Sequence, residues 1–147
     1  MPVRLTTGEA SNPVWSPAGN LIVYAGANVG FFCPLLAVGP DGTPVKLPSI
    51  EVLREGVRAR FLPNGSGLVY LQGLPSAQNL WLLDLSAQNL WLLDLATKKT
   101  KELTRLNSAG AIRSFDIGPD GNNIVFDRLR GNSHVVLIDL PGNPQKP

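Results

Sequence analysis

The sequence has one cysteine, Cys33, and one histidine, His134. A single thiol rules out an internal disulfide, and a solitary cysteine reads as a small buried hydrophobe. His134 precedes the apolar Val135 and Val136 with no further His, Cys or acidic ligands at metal-binding spacing. No metal site is expected, and His134 reads as a surface or edge residue. Charged residues make up only 16% of the chain, against about 25% in an average globular protein. Surface turned toward a partner lowers that fraction. The net charge of +2, with Lys and Arg scattered, excludes a phosphate-tracking basic face and hence a nucleic-acid partner. No apolar run approaches the roughly 20 residues of a membrane span, and the stretch from Met1 to Thr6 lacks the apolar core of a signal peptide. A soluble chain without a membrane partner is expected, in a compartment the sequence does not specify. Also missing are any helical periodicity, any cofactor motif and any Gly-x-Ser-x-Gly elbow. Ser16, between Trp15 and Pro17, reads as a turn residue. The expectation is no catalysis and no cofactor.

What is present is repetition. The decapeptide Ser-Ala-Gln-Asn-Leu-Trp-Leu-Leu-Asp-Leu occupies 76–85 and again 86–95. Pro17 and Pro63 lie 46 positions apart, Pro63 and Pro119 lie 56 apart, and removing one decapeptide restores 46. A period of that length marks solenoids, propellers and arrays, whose units bury an apolar face only against a neighbour. At 147 residues the chain fits one domain with roughly 68–70% of its unfolded surface buried.

Three windows align, starting at Trp15, Phe61 and Ile117, and each reads as strand, turn, strand. Proline presets φ for the second turn position, and Gly19, Gly65 and Gly121 supply the positive φ that follows. Behind them come Ile22-Val23-Tyr24, Leu68-Val69-Tyr70 and Ile124-Val125-Phe126, apolar runs of the kind that is buried on both faces. A third strand is expected over Leu35 to Val38, over one of Leu80 to Leu85 or Leu90 to Leu95, and over Val135 to Leu140. A fourth ends on Leu47 in the first unit and on Leu103 in the second. The third unit has none, because Pro141-Gly142-Asn143-Pro144 stops strands. The amino terminus supplies the match instead: Arg4-Leu5-Thr6 corresponds to Glu102-Leu103-Thr104.

These elements resemble the TolB-like, WD40-like (PD40) β-propeller repeat, with a Trp-Ser-Pro-x-Gly turn, an apolar strand, an aliphatic-Asp-Leu strand and a closing Leu-Thr. Residues 12–26, 58–73 and 114–128 carry the first part. Trp91 to Leu95, Val136 to Leu140, Leu5-Thr6 and Leu103-Thr104 carry the second. Ala18 and Asn64 depart from the Asp usual in that turn. The resemblance implies an all-β chain of antiparallel four-stranded blades, three per chain, with units over about 8–48, 49–106 and 107–140. The strand at 3–6 would complete a third blade, that of another chain.

Propellers close with four to eight blades, so three imply association, and two chains would give a six-bladed ring. Blade parity leaves room for one copy of the decapeptide, and the other would pair with a second chain. Leu5, Trp81, Leu82, Trp91 and Leu92 are therefore the candidate interface residues, while Trp15 is expected between blades. Arg58, Arg60 and Arg113 stand near strand ends that line a propeller's channel. They would meet an acidic ligand or peptide, or pair with acids on neighbouring blades; Arg60 aligns with Asp116. Arg128 and Arg130, with Asp127, read as a solvated rim.

The leading functional reading is a non-catalytic module for protein association, its partner a second copy of itself or another protein or peptide. A second is the accessory or sensor propeller of a larger enzyme, such as a bacterial protein kinase or a prolyl-oligopeptidase-type peptidase. A third is an engineered or evolutionary-model propeller fragment. Similarity to TolB would imply the periplasm; similarity to the kinases would not.

Overall fold

The Pro-x-Gly turns form as their residues dictate. A computed structural model describes residues 1–54, 59–73, 88–106, 111–129 and 133–140, the side chains of 129, 133 and 134 excepted. The amides of Gly19, Gly65 and Gly121 donate to the carbonyls of Ser16, Leu62 and Gly118 at 2.9, 2.8 and 2.8 Å. Their φ values are 69°, 72° and 72°, in the left-handed region that a Cβ disfavours. Each turn has its own side-chain clamp. Asp120 Oδ1 accepts the Asn122 amide, and Asn64 Oδ1 accepts the Ser66 amide. Ala18 has no such group, and buried Ser16 replaces it, its Oγ accepting the amides of Asn20 and Leu21.

Every described sheet is antiparallel, and there is no helix among the described residues. The first comprises β1 (Ser11–Trp15), β2 (Ile22–Ala25), β3 (Phe32–Val38) and β4 (Pro44–Val45), with β5 (Glu51–Leu53) also on β3. The second runs β6 (Ala59–Phe61), β7 (Gly67–Gln72), β8 (Asn89–Asp94), β9 (Thr100–Glu102). The third is β10 (Phe115–Ile117), β11 (Asn123–Leu129), β12 (Ser133–Asp139), with β12 at its edge. Strand β5 is unforeseen in the sequence. The outer edge of β3 is shared, β4 pairing with Ala37 and Val38 and β5 with Phe32 to Pro34. Pro48, between them, has no N–H to continue a ladder, so one edge strand becomes two.

Two cores lie between successive sheets. Val23, Ala25, Leu35 and Ala37 of the first sheet meet Ala59, Phe61, Leu68, Tyr70 and Leu93 of the second. The opposite face of the second sheet, with Val69, Leu71 and Leu90, meets Phe115, Ile124 and Phe126 of the third. Strand alternation thus gives the second sheet an apolar residue on both faces at nearly every position, the pattern of a sheet covered twice. Burial of a large apolar side chain stabilises by about 1.5–3 kcal/mol, which makes these two cores the principal cohesive force. Cys33 is buried in the first core, its Sγ 3.6 Å from the Val52 carbonyl oxygen.

The slot in the second sheet belongs to the later copy of the decapeptide. β8 pairs with β7 from Gly67↔Asp94 to Gln72↔Asn89 and with β9 at Trp91↔Glu102. Polar anchors fix it at its start: Asn89 Oδ1 accepts the Leu106 amide and the Thr104 hydroxyl, and Gln88 Oε1 accepts the Ile112 amide at 2.7 Å. At its end Asp94 Oδ1 accepts the Thr97 amide and hydroxyl. The earlier copy, 76–85, lies outside the described residues.

Candidate functional site

The candidate site is the pair of sheet faces at the two ends of the stack. On the third sheet the residues facing away from the second are Val125, Asp127, Val135 and Leu137, with Val125, Val135 and Leu137 exposed by 37, 78 and 66%. Their register equivalents in the second sheet are Val69, Leu71, Leu90 and Leu92, and in the first Val23, Ala25, Leu35 and Ala37. In those two sheets the same positions pack into the cores. The first sheet shows the converse. Its outer face carries Trp15 and Leu36, exposed by 55 and 40%, together with Ile22 and Val38, which are buried, so this face is open only in part. The matching Phe61 and Trp91 of the second sheet, and Ile117 and Val136 of the third, pack inward.

Trp15 therefore corrects the expectation of a residue between blades. It occupies the position that Phe61 fills against the first sheet, but no described sheet precedes its own, so the indole faces out. Sequence alignment finds the position; only the fold shows whether a neighbour stands across from it. Val125, expected within a run buried on both faces, is instead exposed, because no described sheet stands across from it; Val135, Leu137 and Leu36 fall in the expected third strands, to which the sequence assigns no interface. The β2–β3 hairpin also exposes Val29 and Phe31.

Among the predicted interface residues, Trp91 and Leu92 lie in β8, packed on the first and second core respectively. Trp81 and Leu82 lie outside the described residues. Leu5 is half-buried, and its carbonyl oxygen is 3.2 Å from where a Cβ on Gly42 would lie, in the β3–β4 turn. Residues 3–6 form no strand in the single chain; the Arg4 guanidinium instead donates to the carbonyls of Thr6 and Thr7.

The arginines divide. Arg60 on β6 pairs with Asp116 on β10, Nε to Oδ1 at 3.9 Å. Arg113 is exposed, and its backbone amide donates to Asp127 Oδ1 at 2.8 Å. The Ser114 amide donates to the same oxygen, so Asp127, expected on a solvated rim, is half-buried and clamps the segment leading into β10. Arg58 and Arg130 lie outside the described residues; Arg128 is half-buried.

Among the described residues the perturbed carboxylates stand in turns or, for Asp94, at the strand end that opens one. Asp41, Asp94 and Asp120 are held below the ordinary aspartate value, first by backbone N–H bonds from Thr43, Thr97 and Asn122, then by those residues' side chains. Burial raises the Tyr70 phenol, partly offset by a hydrogen bond with Thr100. No three His, Cys, Asp or Glu residues gather into a metal site among the described residues, and no helix there is long and apolar enough to cross a membrane.

A scan of protein-family models finds no match, and a search of curated proteins finds none. Solved structures do match, and they contain β-propeller domains. One belongs to a study of two prolyl endopeptidases: TM-score 0.67, 18% identity, covering 93% of this chain and 21% of that one. The tricorn protease matches at TM-score 0.62 and 16% identity, over 94% of this chain and 14% of its own. The Pyrococcus horikoshii acylaminoacyl peptidase gives 0.52 and 14%, over 83% of this chain and 17% of its own. The chain has the fold of a stretch of β-propeller. It spans at most 21% of those chains.

Proposed function

We propose that the chain is a non-catalytic propeller module that acts by docking the open ends of its sheet stack onto protein. One observation carries the reading: register positions buried inside the stack recur on both ends, and apart from Asp127 the third sheet keeps them apolar and exposed. Large apolar side chains left exposed together on a sheet face, where their repeat equivalents are buried, mark an interaction site rather than ordinary surface. Sedimentation velocity from low to high micromolar concentration, with an apolar fluorescent dye as probe, tests it. Association is expected, or dye binding wherever the chain stays single. A single species that binds no dye overturns the reading.

A second reading, the accessory propeller of a larger peptidase, is favoured by the three matched structures. In each, the match covers a small part of a peptidase. A coding region that continues into a hydrolase domain decides for it.

A further inference from the structure

We propose that the occupant of the open ends is a second copy of this chain, bound head to tail, so that two copies close one ring; the inference rests on the docking-module reading. The third sheet ends in the face that the second sheet presents to the third. The first sheet begins with the kind of face that the second and third turn backward. Val125, Val135 and Leu137 of one copy thus find in Trp15 and Leu36 of another the counterparts that Val69, Leu90 and Leu92 find in Ile117 and Val136. The chain builds this contact twice internally and holds both halves of a third.

The turns repeat the same step. A Cβ on Gly65 would lie 3.9 Å from Pro17 Cδ, and one on Gly121 would lie 3.4 Å from Pro63 Cδ. Each turn proline therefore lies beside the turn glycine of the next sheet. Pro119 is the next proline in this series, and Gly19 has nothing among the described residues within 4 Å of its Cβ position. Pro119 of one copy on Gly19 of the other continues the series.

Strand accounting agrees. In the second sheet β9 covers the outer edge of β8, whereas among the described residues β12 pairs with β11 alone. Residues 3–6 match the end of β9 in sequence yet form no strand. With Arg4 aligned to Glu102, the register Trp91↔Glu102 and Leu92↔Lys101 sets Arg4 opposite Val136 and Val3 opposite Leu137 of the second copy. The edge is then capped, as exposed edges require. Two copies of three sheets fall within the four to eight blades of closed propellers, and three copies do not. A head-to-tail contact that closes after two copies has dyad symmetry.

The test is complementation between Trp15→Glu and Leu137→Glu, with light scattering for mass and circular dichroism for folding. The unaltered chain is expected at twice 15.8 kDa and each variant alone at 15.8 kDa. An equimolar mixture is expected to regain the doubled species, because one of its two contacts joins an intact Leu137 face to an intact Trp15 face. Val135→Glu replaces Leu137→Glu should the latter not fold. Doubled mass in either variant, no recovery on mixing, or open-ended growth of the unaltered chain overturns the head-to-tail pair. An unaltered single chain that binds the dye removes the second copy as occupant and leaves the docking module standing; one that binds none removes both.

Discussion

Arg60 Nε stands 3.9 Å from Asp116 Oδ1, joining β6 of the second sheet to β10 of the third at equivalent positions of the repeat. The two side chains are 38 and 75% exposed, so solvent screens the pair. A double-mutant cycle with Arg60→Ala and Asp116→Ala, read by urea unfolding, should give a coupling below about 1 kcal/mol. Molar salt should erase it. A larger, salt-resistant coupling would assign the pair a desolvated role.

Gly121→Ala should lower stability by about 1–2 kcal/mol in the same assay, because the φ of 72° is a left-handed conformation that a Cβ opposes. The new methyl also meets Pro63 Cδ at 3.4 Å, an ordinary contact that adds little. Gly19→Ala, with the same turn and open space around it, should cost a similar amount. Gly8→Ala, outside any such turn, should cost less than about 0.5 kcal/mol.

The three turn aspartates set the acid limb of stability. Their carboxyls titrate below the ordinary value of about 3.9 when folded, so the stabilisation they give is complete above that pH. It is lost as pH falls through the depressed values. Thermal melts from pH 6 to pH 2 should therefore hold steady down to about 4 and then decline. Replacing all three by Asn should flatten that decline.

Much of this fold is legible in the sequence because local chemistry determines it. Proline before a glycine three residues into the window fixes the turns, and apolar triplets after each glycine become β2, β7 and β11. The rest depends on what stands opposite. Trp15 and Phe61 hold the same place in the repeat, yet one is exposed and the other buried, since burial depends on a neighbouring sheet. β5 is not legible in the sequence because the split edge of β3 arises on a ladder assembled between distant segments. Asp127 looked like rim charge for a similar reason: its partners are the amides of Arg113 and Ser114, which only the β10–β11 pairing brings to it. The duplicated decapeptides are identical, so sequence alone gave no means of choosing between them.

The choice made in the structure has a physical source outside the duplication. Asp94 is followed at the third position by Thr97, which donates both amide and hydroxyl to it; Asp84 is followed there by Ala87. Exchange of copies would forfeit both of these hydrogen bonds, which lie at the surface and bias the choice only modestly. Leu90→Asp should therefore cost clearly less than a charge placed in a core ordinarily does, since exchange offers a route around it. Leu80→Asp combined with Leu90→Asp blocks that route and should cost about 4 kcal/mol or more. Equal losses in the single and double variants would show that no exchange occurs.

Cys33 gives the molecule a built-in reporter. Its thiol is enclosed where β5 lies along β3, and with no second cysteine every covalent labelling event reads one opening reaction at that seam. Comparing its labelling rate with the rate of global unfolding would show whether β5 peels away first or leaves only with everything else.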